Sequence, residues 1–181
     1  MKVVSKFEIQ NLCGKLDRRE ISFNEFIENC CQYISQVIGC SRAGIWLFEE
    51  VGDEHVLRCL GIYDQASAKM TLAPDETPDK VQPYFHALTT EGHVLAVDAT
   101  LHPATAGFFG DKLGRTGVRS LMASAVSLNG EVFGAFTCTQ LNEIAVWTPL
   151  QLATLKQIGA RVSLALAGAS RTVPASLPMG L

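Results

Sequence analysis

The sequence predicts a single α+β domain in which helices cover a mostly antiparallel sheet. The chain has 181 residues, and one domain takes roughly 100–200 residues, so a single globular core is expected. Hydrophobic residues make up 48% of the chain, which is enough to build that core. Two helical patterns precede a hairpin, a short helix and strand follow, and a second hairpin leads into a long final helix. This order favours an antiparallel sheet with helices packed on it.

Two helices are predicted before the first strand. Apolar residues recur at helical spacings within residues 4–16, which indicates a first helix with one apolar stripe. Ser22 and Glu25 have the spacing of a capping box, and the strongly amphipathic pattern that follows stops at Gly39. The second helix is therefore expected to run from Ser22 to Gly39 with one face buried.

A hairpin is predicted after the second helix. Residues 41–49 are apolar on both alternating faces, which is typical of a central strand covered from both sides. Gly52 and Asp53 then turn the chain into a returning strand at residues 55–63.

The middle of the chain is predicted to contain a short helix and a short strand. A proline-containing loop at residues 74–83 precedes a helix around residues 84–88, which is expected to stop at Gly92. The following strand, residues 94–97, ends at Asp98.

The second hairpin turns at Asn129-Gly130, a pair that tolerates positive φ at both central positions. It joins extended runs at residues 118–128 and 131–141. Pairing Leu128 with Glu131 predicts which residues share a face. On this register Leu121, Ala123 and Ala125 lie opposite Cys138, Phe136 and Gly134, and Cys138 is buried.

The last helix is predicted to begin with a capping box at Thr148 and Gln151, with Pro149 at its first position, and to run to Ala169. Its apolar stripe is wider than one sheet face requires. The surplus predicts a partner helix, and hence a parallel homodimer. The remaining residues, 170–181, are expected to form a linker or a flexible tail.

Charge and composition exclude several classes of protein. The formal net charge is −3 and the pI is near 5.8, whereas nucleic-acid binders usually carry a basic face, so no nucleic-acid partner is expected. No apolar run approaches the ~20 residues that cross a bilayer, and the N-terminus lacks a secretory pattern, so a cytoplasmic protein without a membrane partner is expected. The six cysteines and four histidines show no metal-ligand spacing, so neither disulfides nor a metal site is expected.

At this level of detail the chain resembles a GAF domain, the small-molecule sensing module of bacterial signalling proteins. The likeness spans residues 23–169 and is distributed along the chain. The segments that carry it are SRAGIWLF (41–48), LRCLGIYD (57–64), YFHAL (84–88), VDA (97–99), GVRSLMASAV (117–126), GEVFGAF (130–136) and WT (147–148).

The resemblance implies an architecture and a set of partners. It implies a central antiparallel sheet of five or six strands, with the terminal helices on one face and a short helix plus crossover loops enclosing a ligand cavity on the other. Residues 1–20 would then be a dimerising and signalling helix, residues 21–169 the domain, and residues 170–181 the tail. The expected partners are an unknown small molecule, a second copy of the chain bound through the terminal helices, and a downstream effector domain or protein.

The resemblance also implies which residues line the cavity, as aromatic walls with a few polar anchors. Each candidate also has a structural interpretation. Adjacent Phe108 and Phe109 are more often core residues of a folded crossover, and Arg119 is more simply explained by an ion pair with Asp98. The ligand-binding candidates are Tyr84, Phe85, His86, Asp98, Phe108, Phe109, Arg119, Ser120 and Ser124.

The chain also departs from three branches of that family. It lacks the Asn-Lys-Phe-Asp-Glu set of cyclic-nucleotide-binding members. It has no cysteine between Cys59 and Cys138, where chromophore-binding relatives attach a bilin. Its cysteines fall mainly in helices and buried strand positions, unlike those of the branch that reduces free methionine sulfoxide.

Three hypotheses follow, in order of preference. The first is a non-enzymatic sensory domain with no cofactor, the second a ligand-free dimerisation scaffold whose cavity is filled by Phe108 and Phe109, and the third a thiol-dependent sulfoxide reductase. The sensor requires an internal void with polar anchors, whereas the scaffold would be packed solid.

Overall fold

The computed structural model describes residues 7–110 and 116–170, and it has the predicted α+β architecture. The residues 1–6, 111–115 and 171–181, which include nearly all of the predicted tail, lie outside the described part. The helices are α1 (Phe7–Asp17), α2 (Phe23–Ile38), α3 (Pro78–Glu91), α4 (Ala106–Phe109) and α5 (Pro149–Ser170). The strands are β1 (Arg42–Val51), β2 (Glu54–Asp64), β3 (Lys69–Thr71), β4 (His93–Ala96), β5 (Val118–Leu128) and β6 (Glu131–Leu141).

All six strands join one antiparallel sheet in the order β3-β2-β1-β6-β5-β4. The two hairpins, β1–β2 and β5–β6, are predicted by the sequence, and β1 lies against β6 at the centre. The three-residue strand β3 was not predicted; it pairs with the end of β2 at Ile62–Asp64. None of the helices in residues 7–110 and 116–170 has the length and apolar content needed to span a bilayer.

The predicted helix ends are confirmed by their hydrogen bonds. The backbone N–H of Glu25 donates to Ser22 Oγ at 3.2 Å, and the backbone N–H of Ser22 donates to Glu25 Oε2 at 2.7 Å. At α5 the backbone N–H groups of Gln151 and Thr148 make the same reciprocal pair, at 3.2 and 2.9 Å. Gly39 ends α2 with φ at 76°, a conformation that favours glycine.

Helices α1, α2 and α5 cover one face of the sheet, which we call the helix face. The stripe of α2 and the stripe of α5 are buried against β1, β5 and β6, and Ile9 of α1 is buried with them. Gly159 of α5 lies close to Phe136, since a Cβ there would be 3.6 Å from the ring. The first and last helices therefore lie together on the same side, as the resemblance implied.

A β-bulge in the second hairpin makes the predicted register wrong beyond the turn. Asn129 and Gly130 have φ of 53° and 83°, and Leu128 pairs with Glu131 as predicted, but the register shifts between Val126 and Ser127. Because Phe133 is the extra residue, Met122 rather than Leu121 lies opposite Cys138. Met122, Phe136 and Cys138 therefore share the helix face, and Cys138 is buried there as predicted.

The helix on the opposite side is longer than predicted. Helix α3 begins at Pro78, because proline at a first helical position gives up an N–H that has no intrahelical partner. It also contains Pro83 and ends at Gly92, the predicted stop, with φ at 75°. Helices α3 and α4 cover the second face of the sheet only in part.

Candidate functional site

The second face of the sheet holds a cavity of about 360 Å³. Its floor is formed by β1, β2, β5 and β6, and its cover by α3, α4 and the segment between β3 and α3. We call this side of the sheet the cavity face. The described residues that line the cavity are Arg42, Gly44, Trp46, Leu57, Ile62, Thr71, Leu72, Ala73, Pro74, Glu76, Tyr84, Phe108, Phe109, Thr116, Val118, Leu121, Thr137 and Thr139.

Aromatic side chains form much of the wall. The rings of Tyr84 and Phe108 meet edge to face with centroids 5.4 Å apart, and Phe108 meets Phe109 at 6.1 Å. Both distances lie in the range in which aromatic pairs attract. The Trp46 indole contributes from the sheet side.

On the sheet side of the cavity, the hydroxyl of Thr137 is engaged in hydrogen bonds. Trp46 Nε1 donates to Thr137 Oγ1 at 3.2 Å, and that hydroxyl donates to the carbonyl oxygen of Gly44 at 3.4 Å. Gly44 makes room for this pair, since a Cβ there would lie 2.9 Å from Thr137 Oγ1 and 3.0 Å from Trp46 Nε1. The indole is therefore held in a fixed position against the cavity.

Tyr84 carries a buried polar atom that is left without a partner. Its side chain is 1% exposed and lines the cavity, yet its hydroxyl makes no hydrogen bond to any residue in the described part of the chain. Burial raises the pKa of the Tyr84 phenol well above its usual range, so the group stays protonated and keeps its donor. An unpaired buried hydroxyl costs free energy, so this donor favours any molecule that supplies an acceptor.

Among the described residues of the cavity lining, two carry a charged side chain, and both of these are paired. Arg42 Nε lies 2.7 Å from Asp64 Oδ2, and Arg42 Nη1 donates to the carbonyl oxygen of Thr116 at 3.4 Å. The backbone N–H of Ser67 and, after it, the Arg42 guanidinium lower the pKa of Asp64. Glu76 Oε2 lies 3.7 Å from Lys80 Nζ.

Three of the nine predicted ligand-binding residues line the cavity. Tyr84, Phe108 and Phe109 do so, whereas the ring of Phe85 stacks on that of His55 with centroids 4.0 Å apart. His86 is on the exposed side of α3. Whether the three cavity residues bind a ligand stays a prediction.

Asp98 and Arg119 form the ion pair that the sequence indicated, outside the cavity lining. Arg119 Nη2 lies 3.2 Å from Asp98 Oδ2, while Asp98 Oδ1 accepts from the backbone N–H of Thr100 at 3.0 Å and from its hydroxyl at 2.6 Å. The hydroxyl and N–H of Thr100, together with Arg119, lower the pKa of Asp98. The pair fixes the chain where β4 runs into the crossover.

The expectation that Ser120 and Ser124 line the cavity is wrong, because both lie on the helix-face side of β5. Ser120 Oγ donates to the carbonyl oxygen of Val97 at 2.5 Å and accepts from the backbone N–H of Ala145 at 2.7 Å. Ser124 lies beside Gly159 of α5. A register irregularity at Arg119, between Val118 and Ser120, puts Val118 and Leu121 on the cavity face instead.

Sequence reasoning missed the strand residues of the cavity floor. Arg42, Gly44 and Trp46 alternate along β1, and this period-2 pattern marks one face of a strand. The pattern was available in the sequence. Thr137 and Thr139 alternate with Phe136 and Cys138 along β6, so the same period-2 pattern places them together on the opposite face.

All six cysteines fall within the described residues, and none of them lines the cavity. Five are buried, and Cys13 is half-buried. Burial raises the pKa of the Cys31, Cys59 and Cys138 thiols, which disfavours the reactive thiolate.

The family model of the GAF domain matches residues 22–166. The chain belongs to the GAF domain family. The match covers the sheet, the residues that line the cavity and most of α5 of this GAF domain. No curated protein sequence matches the chain significantly.

Several solved structures have the same fold. The phycoerythrobilin-bound GAF domain from a cyanobacterial phytochrome matches with a TM-score of 0.72 and 13% identity, over 95% of this chain and 99% of that one. The Stigmatella aurantiaca phytochrome photosensory core module matches with a TM-score of 0.64 and 15% identity, over 96% of this chain but only 39% of that one. This GAF domain thus spans well under half of that photosensory module.

One relative with the same fold is an enzyme. The free methionine-R-sulfoxide reductase from Neisseria meningitidis, in complex with its substrate, matches with a TM-score of 0.62 and 16% identity, over 91% of this chain and 89% of that one. At these identities the likeness concerns the fold alone.

Proposed function

We propose that this GAF domain is a non-enzymatic, cytoplasmic sensory domain of a bacterial signal-transduction protein. It binds a small molecule in the cavity and transmits the bound state through its terminal helices to a downstream effector domain or protein. One observation carries the proposal: the cavity of about 360 Å³ is lined in part by Tyr84, whose buried hydroxyl has no hydrogen-bond partner among the described residues. Ligand pockets typically measure roughly 300–1,000 Å³ and combine apolar walls with a few polar groups.

The cavity also separates this proposal from the scaffold hypothesis. Protein interiors normally contain few voids larger than a water molecule, because each void forfeits van der Waals contacts. A domain that served only to dimerise would gain stability by filling this space. Here Phe108 and Phe109 form a wall and leave the space open.

The position of the cysteines supports a non-enzymatic role. A thiol-dependent reductase needs cysteines that converge on the cavity, and every cysteine of this chain lies outside the lining. The same fact argues against a covalent bilin, although relatives with this fold are bilin-bound. We therefore expect no reduction of methionine-R-sulfoxide with dithiothreitol, and no adduct that survives denaturation after incubation with phycocyanobilin.

A structural route from the cavity to α5 supports signal transmission. Strands β5 and β6 contribute Leu121, Thr137 and Thr139 to the cavity lining, while Phe136 of β6 packs against Gly159 of α5 on the other side. A ligand that shifts these two strands would therefore move the surface on which α5 rests. A ligand can shift a conformational equilibrium only if it interacts differently with the two conformations. Different positions of β5 and β6 at the cavity would provide that difference.

The terminal helices carry the proposed dimer contact. Leu164 of α5 is 70% exposed, and it borders a groove of mixed polarity between α5 and the turn that joins α1 to α2, with Asp17, Arg19 and Arg161 among its lining residues. The other groove residues include Leu16, Phe23 and Ala165. A twofold-related copy would cover the same patch on both protomers.

A ligand screen tests the sensor proposal. The probe is a library of small metabolites, and the measurement is the thermal shift of the wild-type chain and of two variants. Ala73→Phe places a ring at the cavity wall, and Ala66→Phe places the same ring on an exposed turn away from it. A ligand at about 100 times its dissociation constant adds ~2.7 kcal/mol to the free energy of unfolding.

We expect at least one compound to raise the Tm of the wild type and of Ala66→Phe but not that of Ala73→Phe. A library without any hit, or a shift that persists in Ala73→Phe, would contradict the proposal and favour the scaffold.

Sedimentation at micromolar concentration tests the dimer. We expect a species of twice the 19.6 kDa chain mass, and a single-chain species for Leu164→Glu. Leu101→Glu is the matched control, because Leu101 is 77% exposed and lies in the crossover after β4. A wild-type chain that sediments only as a monomer would rule the dimer out.

A further inference from the structure

We propose that the cavity takes an uncharged, ring-bearing molecule that offers a hydrogen-bond acceptor to the hydroxyl of Tyr84. This inference rests on the proposed function, since it names the chemical class of ligand for the same cavity.

The wall selects a flat apolar body. Trp46, Tyr84, Phe108 and Phe109 bring four aromatic side chains to one cavity. Seven of the other fourteen described lining residues are aliphatic, and six are threonine, arginine or glutamate. Aromatic side chains interact favourably with ring edges and faces at centroid distances of roughly 4.5–7 Å. A ring-bearing ligand can meet several of them at once, whereas a flexible polar chain would leave them in contact with water.

The donor at Tyr84 selects an acceptor. Its hydroxyl is buried and unbonded among the described residues, while the neighbouring hydroxyl of Thr137 is already engaged with Trp46 and Gly44. A ligand carbonyl or ether oxygen would satisfy the Tyr84 donor. A hydrocarbon of the same shape would leave it unpaired, and that loss should lower affinity.

The charges at the lining select a neutral ligand. Arg42 is neutralised by Asp64 at 2.7 Å, and Glu76 is paired with Lys80 at 3.7 Å, so the charged groups described at the lining offer no spare counter-charge. Burying a charged ligand without such a partner is costly. Removing the Asp64 charge would therefore leave Arg42 available to an anion.

Three probes of one shape separate these contributions. They are 2-acetylnaphthalene, which is neutral with an acceptor; 2-isopropenylnaphthalene, which is neutral without one; and 2-naphthoate, which is anionic. Dissociation constants are measured by ligand-detected saturation-transfer NMR on the full chain. The variants are Tyr84→Phe, Asp64→Asn and the control Tyr33→Phe, which removes a phenol hydroxyl from α2 on the helix face.

For the wild type and Tyr33→Phe we expect the ketone to bind about tenfold more tightly than either the hydrocarbon or the carboxylate. Tyr84→Phe should abolish the preference for the ketone over the hydrocarbon. Asp64→Asn should tighten the binding of 2-naphthoate and leave that of the ketone unchanged. A folded state common to all variants is checked by their far-ultraviolet circular dichroism.

Two results would overturn the ligand class while leaving the sensor proposal intact: naphthoate binding as tightly as the ketone, or a ketone preference that survives in Tyr84→Phe. Failure of all three probes to bind the wild type would also overturn the ligand class, whereas the sensor proposal fails only if the metabolite library gives no hit or a thermal shift that persists in Ala73→Phe.

Discussion

The two faces of the sheet are covered in opposite ways. The helix face carries three helices of 11, 16 and 22 residues, whose apolar stripes bury Ile34, Leu155 and Val162 completely. The cavity face is covered by α3, the four-residue helix α4 and extended segments, and these leave the cavity open. Long amphipathic helices can seal a sheet because their side chains repeat along one stripe, whereas short irregular segments cannot match the sheet surface throughout.

We infer that the two faces of the sheet have different roles, one in stability and the other in the proposed ligand binding. We expect the helix face to contribute most of the stability, because close-packed side chains make the most van der Waals contacts. The cavity face should contribute less stability.

The first prediction compares two phenylalanines. Phe136 is fully buried on the helix face, and Phe108 is 6% exposed but borders the cavity. Phe136→Ala should lower the free energy of unfolding by about 3–5 kcal/mol, which is usual for a packed phenylalanine. Phe108→Ala should cost about half as much, because its ring already has open space on one side. Urea denaturation measures both, and equal losses would show that the two faces are packed alike.

The second prediction concerns the serines of β5. Ser120 bridges Val97 and Ala145, so Ser120→Ala removes two part-buried hydrogen bonds and should cost about 1 kcal/mol. Ser124→Ala is the control on the same strand and should cost less than half as much. Neither change should alter the affinity for the ligand. Weaker binding of the same ligand by either variant would show that these serines belong to the binding site.

The third prediction is a gain in stability on the cavity face. Because the Tyr84 hydroxyl is buried without a described partner, Tyr84→Phe should raise the free energy of unfolding of the ligand-free protein by about 1 kcal/mol. Tyr33→Phe should change it little. A loss of stability in Tyr84→Phe would mean that the hydroxyl is bonded in the free protein.

The fourth and smallest effect is a pH dependence at the cavity rim. The pKa of Asp64 is lowered by the backbone N–H of Ser67 and by Arg42. Its stabilising contribution is therefore present above the unfolded pKa, near 3.9, and is lost as the pH falls through the lower folded-state value. The free energy of unfolding of Asp64→Asn should be lower than that of the wild type at pH 7, and this difference should become smaller at pH 3. If the difference stays the same at both pH values, the lost stability comes from packing and not from the charge of Asp64.

The sequence predicted the helix face more completely than the cavity face. The limits of α2 and α5 follow from local patterns, because Ser22, Glu25, Thr148 and Gln151 make contacts within one turn. The turn at Asn129-Gly130 follows from a backbone conformation that few other residue pairs adopt. These features depend on neighbours in the chain, and a single sequence displays them.

The cavity lining was predicted only in part. Tyr84, Phe108 and Phe109 were found because clustered aromatic residues stand out in a polar, proline-containing region. Ser120 and Ser124 were misplaced, since alternation along a strand shows which residues share a face but not which face they share.

The sequence by itself determined the α+β class, the two hairpins, the capped helices and the burial of their apolar stripes. Only the tertiary structure decided which strand residues enter the cavity. The bulges at Phe133 and Arg119 each add one residue to a strand, and side chains alternate with a period of two. One extra residue therefore exchanges the two faces of a strand, and the bulge appears only when the strand is paired with its neighbour in the sheet.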